Sequence, residues 1–144
     1  LAKHQVGLSW NEVSRRYVDS PPEFYEPETW RGKPENVKQG SDGEAKSQYF
    51  PNLYIGDVTE LALNNYDKMI VQGVAPEMAR MVLPQNMYTE WYWSGSLYAF
   101  SRVCQLRLDK TSQLEVQEVA RQLSAHCLTL FPHCWNALIK EKQE

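Results

Sequence analysis

The sequence predicts a helix-dominated α+β fold in a single domain, and three features predict it. Apolar residues recur at helical spacing at Ala62, Tyr66, Met69 and Ile70, and again at Val116, Val119, Ala120, Leu123, Cys127 and Leu130. Between these stretches, residues 87–93 alternate weakly and are rich in aromatics and Thr, which favours a strand. A chain of 144 residues with 42% hydrophobic and 23% charged content suits one domain with a real core.

Taken in order, residues 1–17 read as a loop feeding a short helix from about Asn11. Asp19, Ser20, Pro21 and Pro22 break any helix there, and Pro27 keeps the following segment extended or irregular. Residues 31–48 are polar, with glycines at 32, 40 and 43 and lysines at 33, 38 and 46, and read as a long loop. Asp57 is the expected N-cap of the first long helix, and Gly73 its stop. Pro76 suits the first turn of a short helix over 77–81, which ends before Pro84. Another helix is expected from Ser94 or Ser96, with Leu97, Phe100 and Cys104 on its apolar side. Ser112 and Glu115 form a capping-box pattern ahead of the clearest helix, which Pro132 ends. A short amphipathic helix to about Lys142 closes the chain, and no internal repeat is visible.

The bulk numbers exclude several classes of function. A net charge of −3 and a pI near 5.7 argue against a general binder of nucleic acid or of acidic membranes. A single-stranded RNA binder would need a basic stripe that the chain lacks. Three cysteines, with no secretory segment, point to a reducing cytoplasm rather than a disulfide framework. No apolar run approaches the length of a membrane span. The chain begins at Leu1 rather than Met, which suggests processing or a missing N-terminal part.

The densest chemistry lies in Ser9-Trp10-Asn11-Glu12-Val13-Ser14-Arg15-Arg16-Tyr17. Two readings stand side by side. The run resembles a helix start, with Ser or Asn as N-cap and Glu in the first turn. It also suits a small anionic heterocycle, since the arginines offer phosphate forks and Ser, Asn and Glu can read hydroxyls and base edges. Arg80 precedes the apolar run Met81-Val82-Leu83-Pro84, and Arg107 lies between Leu106 and Leu108. Each is either a helix-end or salt-bridge partner, or a fixed charge aimed into a pocket. Arg102 lies one turn beyond Tyr98, so the pair either makes a surface cation–π contact or brackets a flat ligand. The aromatics Tyr88, Trp91, Tyr92, Trp93 and Tyr98 read as core or subunit interface. The echo His126-Cys127 and His133-Cys134 lacks zinc-ligand spacing, and Cys127 sits on an apolar stripe, so no metal site is expected. No Gly-rich phosphate loop is present, and a nucleotide or flavin would be held by side chains.

Three blocks resemble the flavin-dependent thymidylate synthase family. Lys3-His4-Gln5, followed by the run through Ser14, resembles the signature Arg-His-Arg, seven residues, Ser, with one residue inserted. Ala79-Arg80-Met81-Val82-Leu83-Pro84 resembles the central block, and Leu106-Arg107-Leu108-Asp109 with Gln113 and Glu115 the block before the last long helix. The similarity spans nearly the whole chain and matches roughly the C-terminal two-thirds of a family member. The domain is therefore expected to be a partial synthase domain over residues 1–144.

The resemblance implies an FAD-dependent methyltransferase that makes dTMP from dUMP with methylenetetrahydrofolate and NADPH, working as a homotetramer whose sites draw on several subunits. It implies that Glu12, Val13, Ser14, Arg15, Arg16 and Arg80 hold dUMP. Arg107 would sit against the uracil as the catalytic residue. Lys3, His4, Gln5, Asn11, Glu12, Ser96, Tyr98 and Arg102 would line the FAD. Here Ser96, Tyr98 and Arg102 replace the family's Asn-Xaa-Arg and later Asn, and Thr111 replaces a flavin-contacting His. The alternative is a catalytically incomplete nucleotide-binding fragment or regulatory domain.

Overall fold

The computed structural model describes residues 1–18, 20–35 and 40–139. Asp19, Lys38 and the stretch 140–142 of the expected last helix lie outside the described residues. The elements are β1 (Leu8–Glu12), β2 (Arg31–Gly32), β3 (Asp42–Glu44), α1 (Tyr49–Val71), α2 (Pro76–Ala79) with a 3₁₀ turn at Arg80–Val82, β4 (Trp91–Gly95), α3 (Leu97–Arg107), α4 (Leu114–Leu130) and α5 (Pro132–Leu138). The expected α+β class with dominant helix is what forms. The chain packs as two compact units, one of Leu1–Asn11, Lys33–Asp42 and Tyr92–Glu144, the other of Glu12–Gly32 and Gly43–Trp91. No helix of the described residues is long and apolar enough to cross a membrane.

In the first unit, α3, α4 and α5 pack on one another around Cys104, Cys127 and Trp135, with Leu97, Phe100, Leu123 and Ile139 against them. Trp135 is buried, and its indole N–H finds the Ser124 hydroxyl at 3.1 Å, which satisfies the one polar atom it brings inside. Ser96 caps α3 as expected, its Oγ accepting from the Ala99 N–H at 3.1 Å. The capping box at Ser112 does not form. Ser112 Oγ donates to the Leu106 carbonyl, so Gln113 takes the N-cap position of α4 without a side-chain bond.

The segment around Asn11 is a strand rather than the expected helix, because β1 finds a long-range partner in β4. The Ser96 N–H donates to the Gly7 carbonyl at 3.3 Å beyond one end of this antiparallel pair. The two strands approach so closely that a Cβ on Gly95 would lie 2.4 Å from Leu8 Cδ2 and 2.6 Å from the Gly7 carbonyl oxygen. Trp10 and Phe100 both set their rings edge-on to Trp93, at centroid distances of 5.9 and 5.4 Å.

In the second unit, α1 begins at Tyr49, two turns before the expected Asp57 cap, and packs on α2 and the 3₁₀ turn. Ala62 and Tyr66 are its buried residues. Gly73 ends the helix as expected: its φ of 82° is open to glycine, and the Gly73 and Val74 N–H groups turn back to Ile70 and Met69. Pro76 opens α2, as its missing N–H allows. Within the expected polar loop, β2 and β3 pair, and Gln48 ties the Trp30 main chain through both its amide groups. The expected strand at residues 87–93 begins later, at Trp91, while Met87 makes a single antiparallel bridge to Phe24.

Candidate functional site

The second unit carries a cleft of about 510 Å³, within the roughly 300–1,000 Å³ usual for small-molecule sites. Its floor and walls come from the end of β1, the irregular chain that follows, the 3₁₀ turn and the segment leading into β4. Among the residues expected to bind nucleotide, Glu12, Val13, Arg15 and Arg80 line it together. Arg15 is oriented by main chain: Nη1 donates to the Ser20 carbonyl and Nη2 to that of Pro21 at 3.1 Å. Those bonds use two of the five guanidinium donors. Arg80 Nε donates to the Glu77 carbonyl at 3.3 Å, which leaves both terminal amino groups beyond that bond.

Glu23, Tyr88 and Glu90 also line the cleft and were missed in the sequence. Their placement follows from the Tyr88 N–H to Glu23 carbonyl bond of 2.8 Å and the Phe24–Met87 bridge, which join segments far apart in the chain. Alternation of Tyr88 and Glu90 across an extended stretch was the available signal. Two guanidiniums beside three carboxylates make a lining of mixed sign. Such a lining suits a ligand with one anionic group and several hydrogen-bonding edges better than a bare polyanion. Ser14 and Arg16 are not part of this lining. Ser14 Oγ accepts from Arg16 Nε at 3.1 Å, and the Arg16 guanidinium lies 5.3 Å from the Tyr17 ring centroid.

Arg107 belongs to the first unit, at the last residue of α3. Its Nε donates to His4 Nε2 at 2.8 Å. Burial, then the Arg107 charge, then the Leu1 amino group push the His4 pKa below its ordinary value. The imidazole is therefore neutral at neutral pH and accepts, with its other nitrogen carrying the proton. Lys3, Gln5 and Asn11 are exposed in this unit. Arg102 and Tyr98 do pair, Nη1 lying 3.4 Å from the phenolic oxygen and the guanidinium 6.0 Å from the ring centroid. Ser96 Oγ is taken up by its cap. Lys3 and Arg102, the exposed Tyr98 ring and the amides of Gln5 and Asn11 are groups of this unit whose chemistry can meet an anion and a flat ring.

The two buried thiols do not suit nucleophilic work. Burial, reinforced by Cys127, pushes the Cys104 thiol up to about 12, and burial pushes Cys127 up as well. Cys134 is exposed.

The fold is of a helix-rich α+β class and carries a cleft of mixed charge, and comparison with known proteins gives the family. Residues 1–133 match the family described as thymidylate synthase complementing protein. The chain is 38% identical over 129 residues to a flavin-dependent thymidylate synthase of Thermus thermophilus, covering 90% of this chain and 47% of that protein. It is 32% identical over 141 residues to one from Thermosipho africanus, covering 96% and 61%. The structure of a UMP/dUMP methylase, PolB from Streptomyces cacaoi bound with 5-Br dUMP, superposes with a TM-score of 0.81 at 26% identity, over 94% of this chain and 62% of that one. The chain therefore belongs to the flavin-dependent thymidylate synthase family, and it spans about half the length of the Thermus relative.

Proposed function

We propose that this chain supplies the nucleotide-binding part of a flavin-dependent thymidylate synthase. The proposed reaction methylates dUMP to dTMP, with methylenetetrahydrofolate as carbon donor and NADPH as reductant through FAD, in a homotetramer. One observation carries the reading: Arg15 and Arg80, from two separate family blocks, line one cleft with Glu12. Guanidinium forks match a phosphate bidentately, and Arg15 meets it with its orientation already set by two carbonyls. The carboxylates of Glu12, Glu23 and Glu90 are acceptors for sugar hydroxyls and for the N–H of a pyrimidine.

Val13 completes the nucleotide wall, and Ser14 and Arg16 hold the loop that presents it. Arg107 stabilises negative charge developing on the uracil, as a fixed guanidinium does in a dry site. In a tetramer whose sites draw on several subunits, that arginine need not come from the chain that supplies the cleft. FAD, when bound, supplies the reducing equivalents. Lys3, His4, Gln5, Asn11, Glu12, Ser96, Tyr98 and Arg102 are the residues proposed to hold it.

Purified protein should take up FAD and release tritium from C5-labelled dUMP only with NADPH and methylenetetrahydrofolate. Protein that stays colourless through an FAD titration overturns this reading. Binding of dUMP without any tritium release favours the second reading, a nucleotide-binding portion that is catalytically incomplete, which the 47% coverage of the Thermus relative supports.

A further inference from the structure

We propose that His4 is the positioning residue for Arg107, fixing the direction of its guanidinium while leaving its charge intact; this rests on the reading in which Arg107 acts on the substrate. The geometry is specific. His4 takes the Nε–H of Arg107 at 2.8 Å, which leaves the two terminal amino groups, with four N–H donors, outside that bond. That is the end of an arginine that grips a planar anion.

The choice of an imidazole matters. A carboxylate at this place would orient the guanidinium equally well but would cancel most of its charge, and so blunt its effect on a developing anion. A neutral imidazole offers one lone pair and no charge. The segment that carries it is itself fixed: the His4 N–H donates to the Leu1 carbonyl at 2.9 Å and the Leu8 N–H to the Gln5 carbonyl at 3.2 Å. Through Gly7 and Ser96 this segment is tied to the start of α3, the helix that ends in Arg107.

The side-chain cation that faces His4 is Arg107, from α3. Protonating the imidazole would remove its lone pair and set a second positive charge against that guanidinium. The bond to Arg107 is therefore present above the His4 pKa and lost as pH falls through it.

The test compares His4→Ala, His4→Gln and Arg107→Ala in the whole protein, with carbon-detected histidine NMR of His4 beside the kinetics. His4→Ala should lower kcat about tenfold with little change in KM for dUMP, as small misplacements of a catalytic group do. His4→Gln, whose amide oxygen replaces the acceptor, should recover most of that loss and abolish the acid limb of the kcat profile. At saturating FAD, which sets aside any loss of flavin binding, His4→Ala should cost nothing further in an Arg107→Ala background. By NMR, His4 should titrate below its ordinary value and move up in Arg107→Ala. Equal effects of His4→Ala with and without Arg107, or a His4 titration that ignores Arg107, overturn the proposal. Full turnover by Arg107→Ala instead sinks the role given to Arg107, and the NMR coupling then still reports whether His4 holds it.

Discussion

Arg15 and Arg80 in the second unit are oriented by main-chain carbonyls, those of Ser20, Pro21 and Glu77. Arg107 in the first is oriented by a side chain, the imidazole of His4, at the end of a helix packed on two others. The first pair sits on a turn and on a short 3₁₀ helix, with exposed neighbours that include Met81, Val82 and Tyr88. The second ends a helix in which Val103 and Cys104 are fully buried, although Leu106 and Leu108 beside Arg107 are exposed. On the proposed reading, in which Arg15 and Arg80 take the phosphate and Arg107 the uracil, the contrast teaches which tasks need precision. Gripping a phosphate tolerates a few tenths of an ångström, because charge and fork do the work. Stabilising charge that exists only in a transition state does not tolerate it, and so calls for a rigid mount.

The comparison can be broken most forcefully at the mount itself. Trp135→Ala removes the largest side chain of the helical core and should lower unfolding stability by about 3–5 kcal/mol, read by denaturant titration. A loss near the noise would mean that the first unit is not held by this core. Arg107→Ala should reduce tritium release about 10²–10³-fold with FAD still bound, the size seen on removing one donor to a developing oxyanion. Arg80→Ala should weaken dUMP binding by about 1.5–3 kcal/mol, the worth of a hydrogen bond to a charged group, measured by calorimetry with kcat at saturation much less affected. Should Arg80→Ala lower kcat and leave binding alone, the division of labour drawn between the two units is wrong. Ser96→Ala sharpens the contrast with the smallest effect, about 1 kcal/mol of stability from the lost cap.

Much of this was legible in the sequence, and the failures have identifiable causes. The Ser96 cap, the Gly73 stop and the Pro76 helix start were readable because each depends on a residue and its immediate neighbours. The strand at β1 was not, since Asn11 and Glu12 are ordinary first-turn residues and only pairing with β4 decides otherwise. The start of α1 was hidden by exposed aromatics: Tyr49, Phe50 and Tyr54 stack on one another rather than on the core, so they blur the helical period. Ser112 kept its capping sequence and lost its capping role to the Leu106 carbonyl. At the site, Arg15 and Arg80 could be found from motif blocks. Glu23 could not, because it reaches the cleft through a bridge between distant segments.

The junction at Ser96 has a mechanical consequence. Its N–H is bound to Gly7 and its hydroxyl caps α3, whose far end is Arg107. An 11-residue helix is a lever about 16 Å long. Tilting it by about 4° at the cap would swing the far end through about 1 Å, a displacement worth up to about a hundredfold in rate. On the role proposed for Arg107, a substitution at Gly95, where a Cβ would meet Leu8 and Gly7, shifts this junction and is felt at the opposite end of the helix.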